Sequence, residues 1–160
     1  MGYNRQAAIE YARKYALNYN PDYYDFGKYN LGGDCTNFIS QCLHAGGAPM
    51  THRPEEWYYY GLNSRSPSWS AVEFLYRYLT APKDNGFTAV ECQGLSSAVP
   101  GDVIQLSFDG QVFSHSLFIS NITNTVFAPR IFVCTHTYDS CDRDFSTYQY
   151  RKMRLLHITN

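Results

Sequence analysis

A chain of 160 residues with 44% hydrophobic and 17% charged content can bury roughly two-thirds of the surface its unfolded form exposes. Its 15 Tyr, 10 Phe and 2 Trp exclude disorder and point to an aromatic core or an aromatic-lined groove. With a formal net charge of −1 and no basic run longer than the RKMR of residues 151–154, the electrostatic footprint of a nucleic-acid binder is missing. These figures suit one domain spanning residues 1–160.

The opening MGYNRQAAIEYARKYA has neither the charged-then-apolar order of a signal peptide nor the length of a membrane span. It also lacks the Ser or Thr that a myristoylation signal carries at position six. The five cysteines, Cys35, Cys42, Cys92, Cys134 and Cys141, form an odd set without paired spacing, so neither a disulfide framework nor a zinc ribbon is expected. No membrane partner and a reduced, cytoplasmic setting follow as expectations. An extracellular or cell-wall setting would apply if the domain belonged to a longer exported protein or were released by lysis.

Asn4 can cap a helix running to about residue 18, whose Ala7, Ala8, Tyr11, Ala12, Tyr15 and Ala16 fall on one face. NYNPDYYDFGKYNLGG reads as a loop. From Cys35 the helical period returns with Phe38, Ile39, Cys42 and Leu43, and Gly46 stands where a left-handed residue ends a helix. Residues 49–68 read as a long loop. Ser70 and Glu73 have capping-box spacing before a helix carrying Val72, Leu75, Tyr76 and Leu79. Beyond Pro100 the period becomes alternating: DVIQLSF, a turn at Asp109-Gly110, QVFSHSLFIS, then RIFVCTHTY and RKMRLLHIT. Helices first and an antiparallel meander second describe an α+β domain with N-terminal helices packed on the sheet.

Cys35 stands at a helix start, where unpaired backbone N–H groups and the helix dipole favour a thiolate, and where the same donors can hold an oxyanion. Cys42, one apolar turn later, reads as a small buried hydrophobe. A cysteine nucleophile needs a base, and His115, in phase with Leu117 and Ile119, is placed to point inward from its strand. A base needs an orienting group. His136 on the neighbouring segment suits the task, and Asp139 is its rival. His44, His52 and His157 carry no such context.

The segments YNRQAAIEYARKYALNYNP, GGDCTNFISQCLHAGG, GDVIQ, SHS and CTHTYD resemble, in order and over nearly the whole chain, the family known as the putative amidase domain. That family is a bacterial branch of the papain-like cysteine hydrolases, related to NlpC-type and CHAP-type cell-wall enzymes. The resemblance implies a papain-like fold in which Cys35 attacks an amide, His115 acts as base and His136 orients it, without a cofactor or metal. The interval between the two histidines is longer than in the NlpC-type pattern, which keeps Asp139 open as the orienting group. By the same likeness Asp34 helps to bind the substrate, peptidoglycan or another peptide. Trp57 and the tyrosines after it either wall the groove or serve core and surface packing, the ordinary role of such a run. Two further readings are a zinc amidase using His115, His136, Cys134 or Cys141, and an inert binding module on the same fold.

Overall fold

The computed structural model describes residues 2–160. Asn4 Oδ1 accepts from the Ala7 amide and starts α1 (Arg5–Tyr15), which lays Ala8, Ile9 and Ala12 on the core and ends three residues short of the expected boundary. A loop then leads to α2 (Cys35–Ala45), buried from Cys35 to Leu43 without interruption. Gly46, expected to be left-handed, has φ −77°, and Gly47, at φ 99°, takes that conformation instead. Gly46 is needed for another reason: a Cβ there would collide with the Tyr3 ring.

Residues 49–68 hold more structure than expected. A small hairpin, β1 (Tyr59–Gly61) and β2 (Ser64–Arg65), precedes a single turn, α3 (Pro67–Ser70), and then α4 (Val72–Thr80). The capping box is not formed. Ala71 caps α4, the Ser70 hydroxyl accepts from Arg65 Nε, and Glu73 receives Arg154 Nη2 at 3.0 Å.

The remaining strands are β3 (Thr88–Cys92), β4 (Val103–Ser107), β5 (His115–Thr123), β6 (Arg130–Thr135), β7 (Ser140–Asp144) and β8 (Lys152–Thr159). They form one antiparallel sheet in the order β3-β8-β4-β5-β6-β7. The expected meander holds from β4 to β6 and is extended by β7, which is not among the expected strands; the fourth expected strand, RKMRLLHIT, is β8 and returns to lie between β3 and β4. The strand expected from Gln111 starts only at His115, because the Asp109 carboxylate draws the amides of Gln111 and Val112 into a longer turn. The fold is thus α+β, with an antiparallel sheet buried on both faces. Val103, Phe118, Cys134 and Leu156 pack with the helices. Ile104, Leu106, Leu117, Ile119, Val133 and Leu155 form a second core on the other side, closed by Phe145.

Asp102, fully buried, fastens the start of α1 to the end of the sheet. Its carboxylate accepts from Arg5 Nη1 at 2.8 Å, from His157 Nδ1 at 2.9 Å and from the amides of Val99 and Ile158. Asp102→Ala removes the shared acceptor of these donors, leaving Arg5 Nη1 only the Pro100 carbonyl, and we expect it to lower the unfolding free energy by about 3 kcal/mol. Urea denaturation at neutral pH measures this; a loss below about 1 kcal/mol would show the network to be dispensable.

Candidate active site

The GGDC stretch is shaped by what surrounds it. Gly32 is left-handed at φ 88°, and a Cβ on Gly33 would stand 2.9 Å from Thr137 Oγ1. The Asp34 amide donates to that same Thr137 hydroxyl. Asp34 stands at the N-cap position, yet its carboxylate does not cap α2. Oδ1 accepts from the Phe26 amide and from Asn37 Nδ2, both at 3.0 Å, and Oδ2 stands 2.6 Å from His136 Nδ1.

Cys35 is the first residue of α2. It keeps 4% of its surface exposed, whereas Cys42 and Cys134 keep none. Its sulfur lies 3.8 Å from Thr36 Oγ1, which shares a hydrogen bond of 3.0 Å with Ser116 Oγ across to β5. Burial pushes the Cys35 thiol above its ordinary pKa. The Ser116 amide and the Thr36 hydroxyl and amide pull the other way without overcoming the loss of solvent. The thiolate expected from the helix start is therefore a neutral thiol at rest.

His115 has the expected phase but meets a different layer. It opposes Leu106 in the β4–β5 ladder and shares the parity of Leu117 and Ile119, all of the core away from the helices. Ser116 is the residue that meets α2. The His115 ring lines a cavity of about 390 Å³ with Phe108, Thr137, Tyr138, Arg143 and Tyr148. Its Nε2 is buried without a partner, and so is the hydroxyl of Tyr148, whose ring centroid lies 6.4 Å away. Burial, reinforced by the Arg143 guanidinium, lowers the His115 pKa to about 4. At neutral pH the imidazole is uncharged and able to take a proton. No hydrogen bond joins it to Cys35 among the described residues.

The other candidates are placed differently from expectation. His136 does not orient His115. Its Nδ1 stands 2.6 Å from Asp34 Oδ2 and its Nε2 lies 2.7 Å from the Tyr15 carbonyl oxygen, so both ring nitrogens are engaged away from His115. The ring is held between Tyr19, at 3.8 Å between centroids, and Phe38, at 4.2 Å. Asp139 accepts from the Tyr19 hydroxyl and is likewise not the orienting group. Asp34, 1% exposed, is occupied by the loop, α2 and the His136 hairpin and offers nothing to a substrate. Trp57, also 1% exposed, is core: it donates to Ser40 Oγ and packs on Trp69 and Tyr78. A zinc site from His115, His136, Cys134 and Cys141 does not assemble: both His136 ring nitrogens already have hydrogen-bond partners and, among the described residues, no three suitable ligands converge. Tyr148 and Arg143 also neighbour His115, from segments that carry no motif in the sequence.

A family model described as "Putative amidase domain" matches residues 2–159. The chain belongs to this family. Among curated relatives, the amidase-domain chain is 38% identical over 120 residues to "Uncharacterized protein YhbB" of Bacillus subtilis (strain 168), covering 73% of this chain and 37% of that protein. It is 48% identical over 56 residues to "Uncharacterized protein YjcM" of the same organism, covering 35% of this chain and 12% of that one. The chain thus spans well under half the length of either relative. No solved structure matches it. Membership suggests amide hydrolysis in general terms.

The buried imidazole has a consequence for this amidase-family domain. In the folded state His115 titrates at about 4, against about 6.5 when unfolded. The folded chain therefore binds fewer protons between these values, so stability is complete above about pH 6.5 and falls as pH drops toward 4. Urea denaturation at pH 7 and pH 4.5 is expected to show a loss from this residue of about 2 kcal/mol. His115→Gln should flatten the profile by that amount; an unchanged profile would place the imidazole in solvent.

Proposed function

We propose that the domain hydrolyses an amide bond through Cys35, with His115 moving the protons, on a papain-like arrangement of the NlpC or CHAP kind. A peptide-bearing polymer such as peptidoglycan, or a smaller peptide, is the substrate class. The observation that carries this reading is the position of Cys35 inside a chain that matches an amidase family over residues 2–159. It opens a buried helix, keeps slight exposure where two deeper cysteines keep none, and has its sulfur beside the amide of Ser116, the residue following His115.

In this reaction the Cys35 proton passes to the neutral imidazole as sulfur attacks the carbonyl carbon. The first amides of α2, which lack intrahelical acceptors, hold the oxyanion. Collapse gives a thioester, and the imidazolium returns the proton to the departing amine. Water, deprotonated by His115, then releases the carboxylic acid and restores the thiol. The resting pair is uncharged on both sides, and proton transfer requires the two side chains to meet past Ser116, whose amide lies beside the Cys35 sulfur.

A second reading, a binding module with an inert cysteine, is favoured by the burial of that sulfur and by the parity of His115. Incubation of wild type, Cys35→Ala and His115→Gln with purified peptidoglycan and a peptide panel, with products read by mass spectrometry, separates the two. The enzyme reading expects amine release that falls at least about 10³-fold in Cys35→Ala and about 10²–10⁴-fold in His115→Gln. It also expects the acid limb of kcat/KM near the His115 value of about 4. Turnover surviving in Cys35→Ala would overturn the cysteine mechanism, and retained binding without products would establish the module.

A further inference from the structure

Two cysteines that the proposed reaction leaves unused lie against each other. The Sγ atoms of Cys134 on β6 and Cys141 on β7 are 3.9 Å apart. The ladder pairs Val133 with Arg143 and Thr135 with Ser140, so its irregularity sets Cys141 and Asp142 together opposite Cys134. Asp142 accommodates the extra residue with a φ of 52°, and its amide points at the Cys134 sulfur at 3.5 Å. Directly opposed residues on antiparallel strands have Cα atoms about 4.5–5.5 Å apart, inside the range a disulfide spans. Cys134 is fully buried and Cys141 is partly open to solvent. This asymmetry gives one sulfur for an external reagent and one to resolve the intermediate.

We propose that Cys134 and Cys141 form a reversible disulfide that clasps the β6–β7 hairpin, with a low-molecular-weight disulfide as oxidant. The Cys141 thiolate attacks one sulfur of the reagent, making a mixed disulfide and expelling one small thiolate. Cys134 then loses its proton and attacks the Cys141 sulfur, expelling the second. Two protein thiols are oxidised and one small disulfide is reduced to two thiols. Burial holds the Cys134 thiol at about 12, so resolution is the slow step and quickens as pH rises.

The bond would enclose residues 135–140, which contain His136, whose ring engages Asp34 and Tyr15, and Thr137, whose hydroxyl receives the Asp34 amide. Thr137 and Tyr138 are both left-handed, at φ 63° and 58°. The clasp therefore braces a strained turn that supports the residue before Cys35. It does not depend on Cys35 being a nucleophile.

Oxidised glutathione added to the folded protein tests this, followed by denaturation, iodoacetamide and trypsin. Both cysteines fall in one tryptic peptide, residues 131–143. That peptide is expected to carry no label, to weigh two hydrogens less than its reduced form, and to take two labels after dithiothreitol. The oxidised protein should melt about 5 °C higher than the reduced one, a shift absent in Cys141→Ser. The same result in Cys35→Ser would separate the clasp from any adduct on Cys35. Two labels on peptide 131–143 after prolonged oxidation, a stable glutathione adduct on Cys141, or a link from Cys134 to Cys42 would each overturn the proposal.

Discussion

The carboxylate of Asp34 is the joint on which this structure turns. It is 1% exposed, and a buried carboxylate is tolerated only when its oxygens are fully engaged. Here they are, by three different parts of the chain: the Phe26 amide from the loop, the Asn37 amide group from α2, and the His136 ring from the hairpin beyond β6. Its own amide goes to Thr137. The glycines before it follow from this junction. Gly33 has no room for a side chain beside Thr137, and Gly32 takes a backbone conformation that costs other residues more. The motif thus fixes where α2 begins, and so where Cys35 sits, by hydrogen bonds that no substrate can reach.

From that fixed start α2 runs buried for nine residues, and its polar side chains fall toward the core as well as its apolar ones. Each finds a partner. Thr36 reaches Ser116, Asn37 accepts from Trp69 Nε1, Ser40 donates to the Trp69 carbonyl and accepts from Trp57 Nε1, and Gln41 accepts from the Tyr11 hydroxyl. The two tryptophans therefore join α2 to the irregular 49–71 region by directed bonds in addition to apolar area. Trp57 and Tyr59 belong to this packing, whereas Phe108, Tyr138 and Tyr148 line the cavity beside His115.

Much of the α+β pattern was legible because alternation and helical period are strong where one segment is apolar: α2, β4, β5 and β8 all show it. What alternation cannot say is which layer a residue meets when both faces of the sheet are buried. His115 has the phase read from the sequence, but that phase belongs to the outer core, and Ser116 belongs to the helix side. β7 shows no alternation because SCDRD is a polar edge strand, and β3 shows none because it too lies at an edge, with Val90 and Glu91 both exposed. Strand adjacency alone would make His136 a helper of His115. Its true partner, Asp34, is 102 residues away in sequence, a separation no local pattern reports.

The helix face of the sheet carries a continuous polar line beside the candidate nucleophile. Thr36 bonds Ser116, Gln105 Nε2 donates to Ser116 Oγ and to the Val72 carbonyl, Arg154 Nε donates to Gln105 Oε1, and Arg154 Nη2 reaches Glu73 near the surface. Such a line fixes the Ser116 side chain, on the residue whose amide lies beside the Cys35 sulfur. Within the proposed mechanism this matters because transfer of a proton from a neutral thiol to a neutral imidazole creates two charges where solvent is scarce. Only dipoles already aimed at the sulfur, the Ser116 and Thr36 amides and the first turn of α2, lower that cost without reorganising. The same burial that raises the thiol pKa strengthens those dipoles, so the inertness of the resting sulfur and its capacity to react would have one physical origin.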